Sequence, residues 1–260
     1  MPRTSDHAAG NTIKLLSYNI QVGIATHRPH HYVTRSWRHI LPHGRHFHNL
    51  DQIADLVKGY DIVGLQEVDA GSLRSSFVNQ TEYLAEQGKF KYWYHQMNRN
   101  IGHIARHSNG LLSQYGPQEI IEHKLPGRVP GRGAIVARFG NSEQPLVVVL
   151  LHLALSARAR MQQLMYIGEV VKEYQHVVLM GDMNCQPHSN ELSALREKTG
   201  LHAPIDDLVT YPSWKPNRKL DHILVSDSIK ISKVSVLAAA KFSDHLPISM
   251  EVVLPKGVHL

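Results

Sequence analysis

The chain has 260 residues, 42% of them hydrophobic, and carries a net charge of +6 with a single cysteine. That length can bury a sizeable core, no Pro/Gly/Ser-rich linker divides it, and one thiol excludes an internal disulfide. No stretch approaches the ~18 apolar residues of a membrane-spanning helix, and the polar start MPRTSDHAAGNTIK has no apolar targeting core, so the cytoplasm is the expected compartment.

In chain order, residues 1–12 are expected to form a flexible segment and 13–260 one domain. A β-strand pattern, IKLLSYNI, occupies 13–20. Next comes a biased stretch over 26–48 with seven histidines, and no acidic residue stands between Asp6 and Asp51. Such a basic segment attracts polyanions, including nucleic acid, phosphorylated metabolites and anionic headgroups. Without accompanying Cys or carboxylates it is a poor metal cage, and phosphate binding through Arg and His fits it better. Leu50, Ile53, Leu56 and Val57 recur at helical spacing within 49–60. A strand is expected at 61–68, a short helix at 81–88, and strands at 109–115, 133–139 and 146–155. The longest amphipathic segment spans 156–174, followed by strands at 176–184, 219–226 and 245–254. Strands alternate with helices early and crowd together late, which predicts an α/β protein with two sheets face to face and helices outside.

Polar residues recur where these apolar runs end. Asn19 stands in SYNI, Glu67 in LQEV, His152 in LLHL, Asp182 and Asn184 in GDMN, Asp221 in LDHI, and Asp244-His245 in SDHLP. Alone, Gly-Asp-x-Asn reads as a turn, because Asp and Asn side chains bond nearby backbone. Read together, the six segments point to a shared site, since buried charges persist when they pair or bind a metal.

As an ordered set, YNI, LQEV, HL, GDMN, LDHI and SDHLP resemble the endonuclease/exonuclease/phosphatase superfamily from Asn19 to Pro247. That family includes pancreatic-type deoxyribonucleases, apurinic endonucleases, inositol polyphosphate phosphatases and neutral sphingomyelinases. The resemblance implies a four-layer α/β sandwich, two packed sheets flanked by helices. It implies Glu67 as the principal metal carboxylate, with Asn19 and Asp244 near it. Oxygen ligands of this kind suit Mg²⁺, or Mn²⁺, rather than zinc. Asp221 and His245 match the family's Asp-His pair. His245 is then a general base or phosphate anchor, and Asp182 is the competing choice for the base. Asn184 would donate to a phosphoryl oxygen, and His152 would bind the phosphate or protonate the leaving oxygen.

Asn109 in HSNGLLS and Arg132 in LPGRVPGRGA are candidate substrate contacts, with Arg128 on the same loop and Tyr211 and Trp214 near the expected cleft. The expected activity is Mg²⁺-dependent hydrolysis of a phosphodiester or phosphomonoester by in-line attack of water. A DNA or RNA nuclease is the alternative within that class, and a catalytically inactive phosphate-binding protein the alternative outside it. Gln21 departs from the nuclease branch, which often carries Asp or Asn there, and the stretch from Glu67 through Asp69 and Arg74 looks more like bacterial members of unassigned substrate and the lipid-headgroup phosphodiesterases than like apurinic endonucleases. Cys185 has no expected role.

Overall fold

The computed structural model describes residues 11–24, 45–140, 143–204 and 208–260. The histidine-rich stretch up to residue 44 and the first ten residues lie outside the described residues. Among the described residues, eleven strands form two mixed sheets. Strands β1 (Thr12–Asn19), β2 (Ile62–Asp69), β3 (Tyr92–Ile101), β4 (Ala105–Ser113), β10 (Lys230–Val236) and β11 (Ile248–Val253) make the first, in the order β10-β11-β1-β2-β4-β3. Strands β5 (Glu119–Lys124), β6 (Gly133–Phe139), β7 (Leu146–His152), β8 (His176–Asp182) and β9 (Asp221–Val225) follow in sequence across the second. Helices α1 (Arg45–Val57) and α2 (Gln80–Gly88) cover the first sheet; α3 (Ala157–Val171) and α4 (Asn190–Thr199) cover the second. None of these helices is long and apolar enough to cross a membrane.

Three apolar clusters build the layers. Between the sheets lie Leu15, Ile62, Leu111, Val148, Leu150, Val178, Met180 and Ile223. Their alternate neighbours point outward: Leu16 and Leu65 pack with Leu50 and Ile53 of α1, and Val149 and Leu179 pack with Leu164 and Ile167 of α3. Strands buried on both faces need apolar residues at every position, which is why β7 and β8 read as continuous Val/Leu runs. Gly64 marks a close approach of the sheets: a methyl group added there would lie 2.7 Å from Leu150 and 2.9 Å from Met180. The four-layer α/β sandwich expected from the motifs is the observed architecture.

Several expected boundaries move. The strand expected over 245–254 begins only at Ile248, so His245 sits on a loop rather than in a strand. Asp182 is the last residue of β8, leaving Asn184 in the turn beyond it. β1 already begins at Thr12, and Asn11 accepts the Leu254 amide at 2.9 Å.

Candidate active site

The pleat of the strands assembles the site. Side chains two apart share a face, so Ile13 and Leu15, which point between the sheets, are followed on that face by Ser17 and then Asn19. By the same alternation His152 follows Val148 and Leu150, Asp182 follows Val178 and Met180, and Asp221 precedes Ile223 and Val225. Each is the residue that ends the apolar row at the sheet interface. The strand register then puts three of them side by side: His152 pairs with Asp182 across β7 and β8, and Asp182 with Asp221 across β8 and β9.

Glu67 has the wrong parity for that face, because Val63 and Leu65 point toward the helices. A bulge corrects it. The β2–β4 register shifts between Leu65 and Val68, and Glu67 adopts a left-handed φ of 55°. Such bulges re-aim a side chain at a sheet rim. Behind it, Gln66 donates to Ser17 Oγ at 3.3 Å, tying the β2 and β1 ends together.

Gly181 permits the neighbouring alignment. Its φ of 145° and the adjacent Leu151 carbonyl leave no room for a Cβ, so only glycine lets β8 lie against β7 immediately before Asp182. Beyond Asp182 the chain turns, as Gly-Asp-x-Asn taken alone anticipates. The Asn184 amide N–H donates to Asp182 Oδ1 at 3.0 Å, and Asn184 has a φ of 52°. Turn and site are thus the same structure.

The side chains form one network. Asn19 Nδ2 donates to Glu67 Oε1 at 3.3 Å and to Asp182 Oδ2 at 3.1 Å, while its Oδ1 accepts the Gln21 N–H at 3.1 Å. His152 Nε2 lies 3.4 Å from Asp182 Oδ2 and 4.0 Å from Glu67 Oε1. His245 Nδ1 lies 2.8 Å from Asp221 Oδ2, and its Nε2 3.8 Å from Asp182 Oδ2. Thr210, which the motif reading misses, donates its hydroxyl to Asp221 Oδ2 at 2.5 Å. It sits on a loop eleven residues before β9, and a lone Thr in a loop carries no sequence signal. The Tyr211 ring packs 4.8 Å from the His245 ring, and Trp214 is half-buried further along the same loop.

Burial and charge set the protonation states apart. Burial pushes the Asp182 carboxyl up to about 7, against the lowering pull of His245. Burial pulls the His245 imidazole down, but Asp221, Asp182 and Asp244 together outweigh it, so its pKa ends well above the usual 6.5. His152 is held well below that value, first by burial and then by the positive charge of Arg132. Glu67 is raised by burial and by the charge of Asp244. Two titratable groups with opposed environments, an acid raised toward neutrality and a protonated imidazole, are the usual marks of acid–base chemistry.

Two features bear on a cation. Among the described residues, ligand-capable atoms of Asp182, Asp221 and His245 all lie within 4.8 Å of one another. However, Asp221 Oδ2 already holds Thr210 and His245. Asp244, by contrast, raises the cost of ionising Glu67, a repulsion that a hard cation relieves. The donor set of carboxylates and an amide therefore fits Mg²⁺ or Mn²⁺ chemically.

The remaining expected residues lie close by. Asn184 Nδ2 donates to the Leu153 carbonyl at 3.0 Å, so one of its amide hydrogens secures the turn. Asn109 Nδ2 donates to the Gly133 carbonyl at 3.1 Å, and its buried Oδ1 has no hydrogen-bond partner, so it fastens β4 to the start of β6. Arg132, half-buried, feels the charges of Glu67 and Asp182. Arg128 is exposed at the next pocket along.

Comparison with solved structures finds this architecture repeatedly. An endonuclease/exonuclease/phosphatase from Beutenbergia cavernae superposes with a TM-score of 0.72 at 18% identity, over 94% of this chain and 72% of that one. A mannosyl-6-phosphatase from Bacteroides thetaiotaomicron gives 0.69 at 18% identity over 93% and 100%, and the human Nocturnin catalytic domain gives 0.66 at 15% over 93% and 94%. No curated protein sequence matches the chain. The sequence pattern of the Endonuclease/Exonuclease/phosphatase family matches residues 16–245, which takes in every residue of the network above, and the chain belongs to that family.

Proposed function

We propose that the protein is a Mg²⁺-dependent phosphoester hydrolase acting on a phosphodiester. The observation that carries this reading is the paired row His152–Asp182–Asp221 closed by His245, with Glu67 and Asp244 beside it. Glu67 and Asp244 would hold the cation, with Asn19 alongside; bound there, the cation neutralises charge on a phosphoryl oxygen. Asp182, raised toward 7, accepts the proton of the attacking water. Asn19 and the Asn184 backbone N–H fix its two oxygens. His245, anchored by Asp221, presents its Nε2–H to the phosphoryl group, where a positive charge stabilises the trigonal-bipyramidal transition state. His152 stays neutral and donates a hydrogen bond to a second phosphoryl oxygen. Of the two choices for the base, the protonation states therefore favour Asp182, and His245 becomes the phosphate anchor.

Support for phosphoester chemistry also comes from the family, whose structural neighbours include a protein described as a mannosyl-6-phosphatase and Nocturnin with a bound sulfate. The test is hydrolysis of bis-p-nitrophenyl phosphate with added Mg²⁺, comparing wild type with Glu67→Ala and Asp182→Ala. Both substitutions should reduce turnover by about 10²–10⁴ with the fold retained. Wild-type rates in either variant overturn the reading. A panel of plasmid DNA, apurinic-site duplex, RNA, sphingomyelin, lysophospholipid and nucleotides then separates nuclease from other phosphodiesterase activity.

A further inference from the structure

A second pocket, of about 230 Å³, opens directly beside the site and shares Glu67 and His152 with it. Its other walls are Asn98 and Arg99 of β3, His107, Ser108 and Asn109 of β4, and the loop from Val129 to Arg132. Apart from Glu67, every ionisable side chain in these walls is basic. The positive side chains are also unspent. Among the described residues, Arg99, His107 and Arg132 make no side-chain hydrogen bond or ion pair, although His107 and Arg132 are half-buried. A half-buried guanidinium with five donors and no acceptor is costly unless a ligand supplies one.

Other parts of the structure hold this arrangement in place. Behind the pocket, Arg74 is 4% exposed, bound through Nε to Asp69 at 2.5 Å, with its Nη2 buried and unpaired. Its charge, with those of Arg99 and Arg132, reaches His107. Gly131, at φ 103°, lets the loop cross the stem of Arg99: a methyl group there would meet Arg99 Cβ at 3.1 Å and Cδ at 3.3 Å. The loop thus fixes one arginine against another, while Asn109 fastens the residue after Arg132. Repelling cations persist in such proximity when an anion is the intended occupant.

We propose that this pocket binds a second phosphate group of the substrate, so that the favoured phosphoester carries a phosphate monoester one group away from the scissile phosphorus. The volume accommodates a phosphate group, and the shared wall of Glu67 and His152 puts it next to the reacting group. Assigning the ligand to the substrate rests on the proposed hydrolysis; the anion site itself rests on the pocket.

The test uses inorganic phosphate titrated into the full chain without divalent cation, following the histidine ring signals by NMR, with His107 assigned through His107→Gln. Saturable movement of the His107 signal is expected in wild type and in Arg158→Gln, whose arginine faces the neighbouring apolar pocket across the same loop. Arg99→Gln, on an exposed edge-strand position where the fold tolerates exchange, should weaken binding about tenfold or more. An unmoved His107 signal, movement confined to His152 and His245, or equal affinity in Arg99→Gln overturns the proposal. Hydrolysis of bis-p-nitrophenyl phosphate, which has no second phosphate, is measured in parallel. Its absence with the His107 response intact counts against the proposed chemistry and not against the anion site.

Discussion

Asp221 holds His245 by Nδ1 at 2.8 Å and leaves the opposite ring nitrogen facing Asp182 at 3.8 Å. One carboxylate thus fixes both the orientation and the charge of the imidazole. Asp221→Asn keeps the shape, removes the charge that holds the proton on the ring, and should lower kcat by about 10²–10⁴ with a small change in KM. Thr210→Val removes a neighbouring donor to the same oxygen and should cost about tenfold. Steady-state kinetics on bis-p-nitrophenyl phosphate with Mg²⁺ checks both; an Asp221→Asn enzyme at the wild-type rate contradicts the anchoring role.

Gly181→Ala should damage stability and activity together. The φ of 145° costs a non-glycine residue about 1–3 kcal/mol, and the Leu151 carbonyl blocks the methyl group as well. β8 must shift away from β7, which separates His152 from Asp182. Urea denaturation should show a lower midpoint, and turnover should fall even where the variant remains folded.

Acid should destabilise the protein through Asp69. Its carboxylate accepts from Ser72 N at 2.7 Å, Ser72 Oγ at 2.8 Å, Ser75 Oγ at 2.9 Å and Arg74 Nε at 2.5 Å. Burial raises its pKa, but the Arg74 bond and charge outweigh that and hold it below the usual carboxylate value. In the unfolded chain the group titrates near ~3.9, so there the unfolded state binds more protons. The stabilisation is full above that pH and is lost as pH falls through the lower folded value. Denaturation midpoints between pH 7 and 3 should therefore decline less steeply in Asp69→Asn than in wild type. At pH 7 that variant should be less stable by about 3–5 kcal/mol, since Arg74 is left buried and uncompensated.

Cys185 should prove inert. It is 4% exposed within the cluster beneath α3 and α4, and burial pushes its thiol up to about 11. At neutral pH almost no thiolate forms, so a disulfide reagent should react with the native protein far more slowly than with the denatured chain. Cys185→Ser should retain activity, because the nearby His222 bond is to the Cys185 backbone carbonyl at 2.8 Å and survives the exchange.

What the sequence made legible follows burial. Strands covered on both faces, such as β7 and β8, stand out as unbroken apolar runs. The three strands that the pattern misses, β3, β5 and β10, all lie at sheet edges with one face toward solvent, so polar residues interrupt them. The missed helix α4 has few apolar positions, though its Ser189 N-cap and Gly200 just past its end were visible signals. At the site, Asn19, His152, Asp182 and Asp221 can be read from alternation alone, because each continues its strand's inward row. Glu67 cannot, since its bulge reverses the parity, and Thr210, Arg99 and His107 reach the site only through long-range packing.

The row His152–Asp182–Asp221 has a consequence for how errors in folding are handled. These residues share their strand faces with the core residues Leu150, Met180 and Ile223. Sliding β8 by one residue would turn Asp182 toward α3 and, in the same movement, drive Met180 out of the sheet interface. No slip of these strands keeps the core and loses only this row of the site. Selection for a stable molecule thereby also proofreads the geometry of its chemistry.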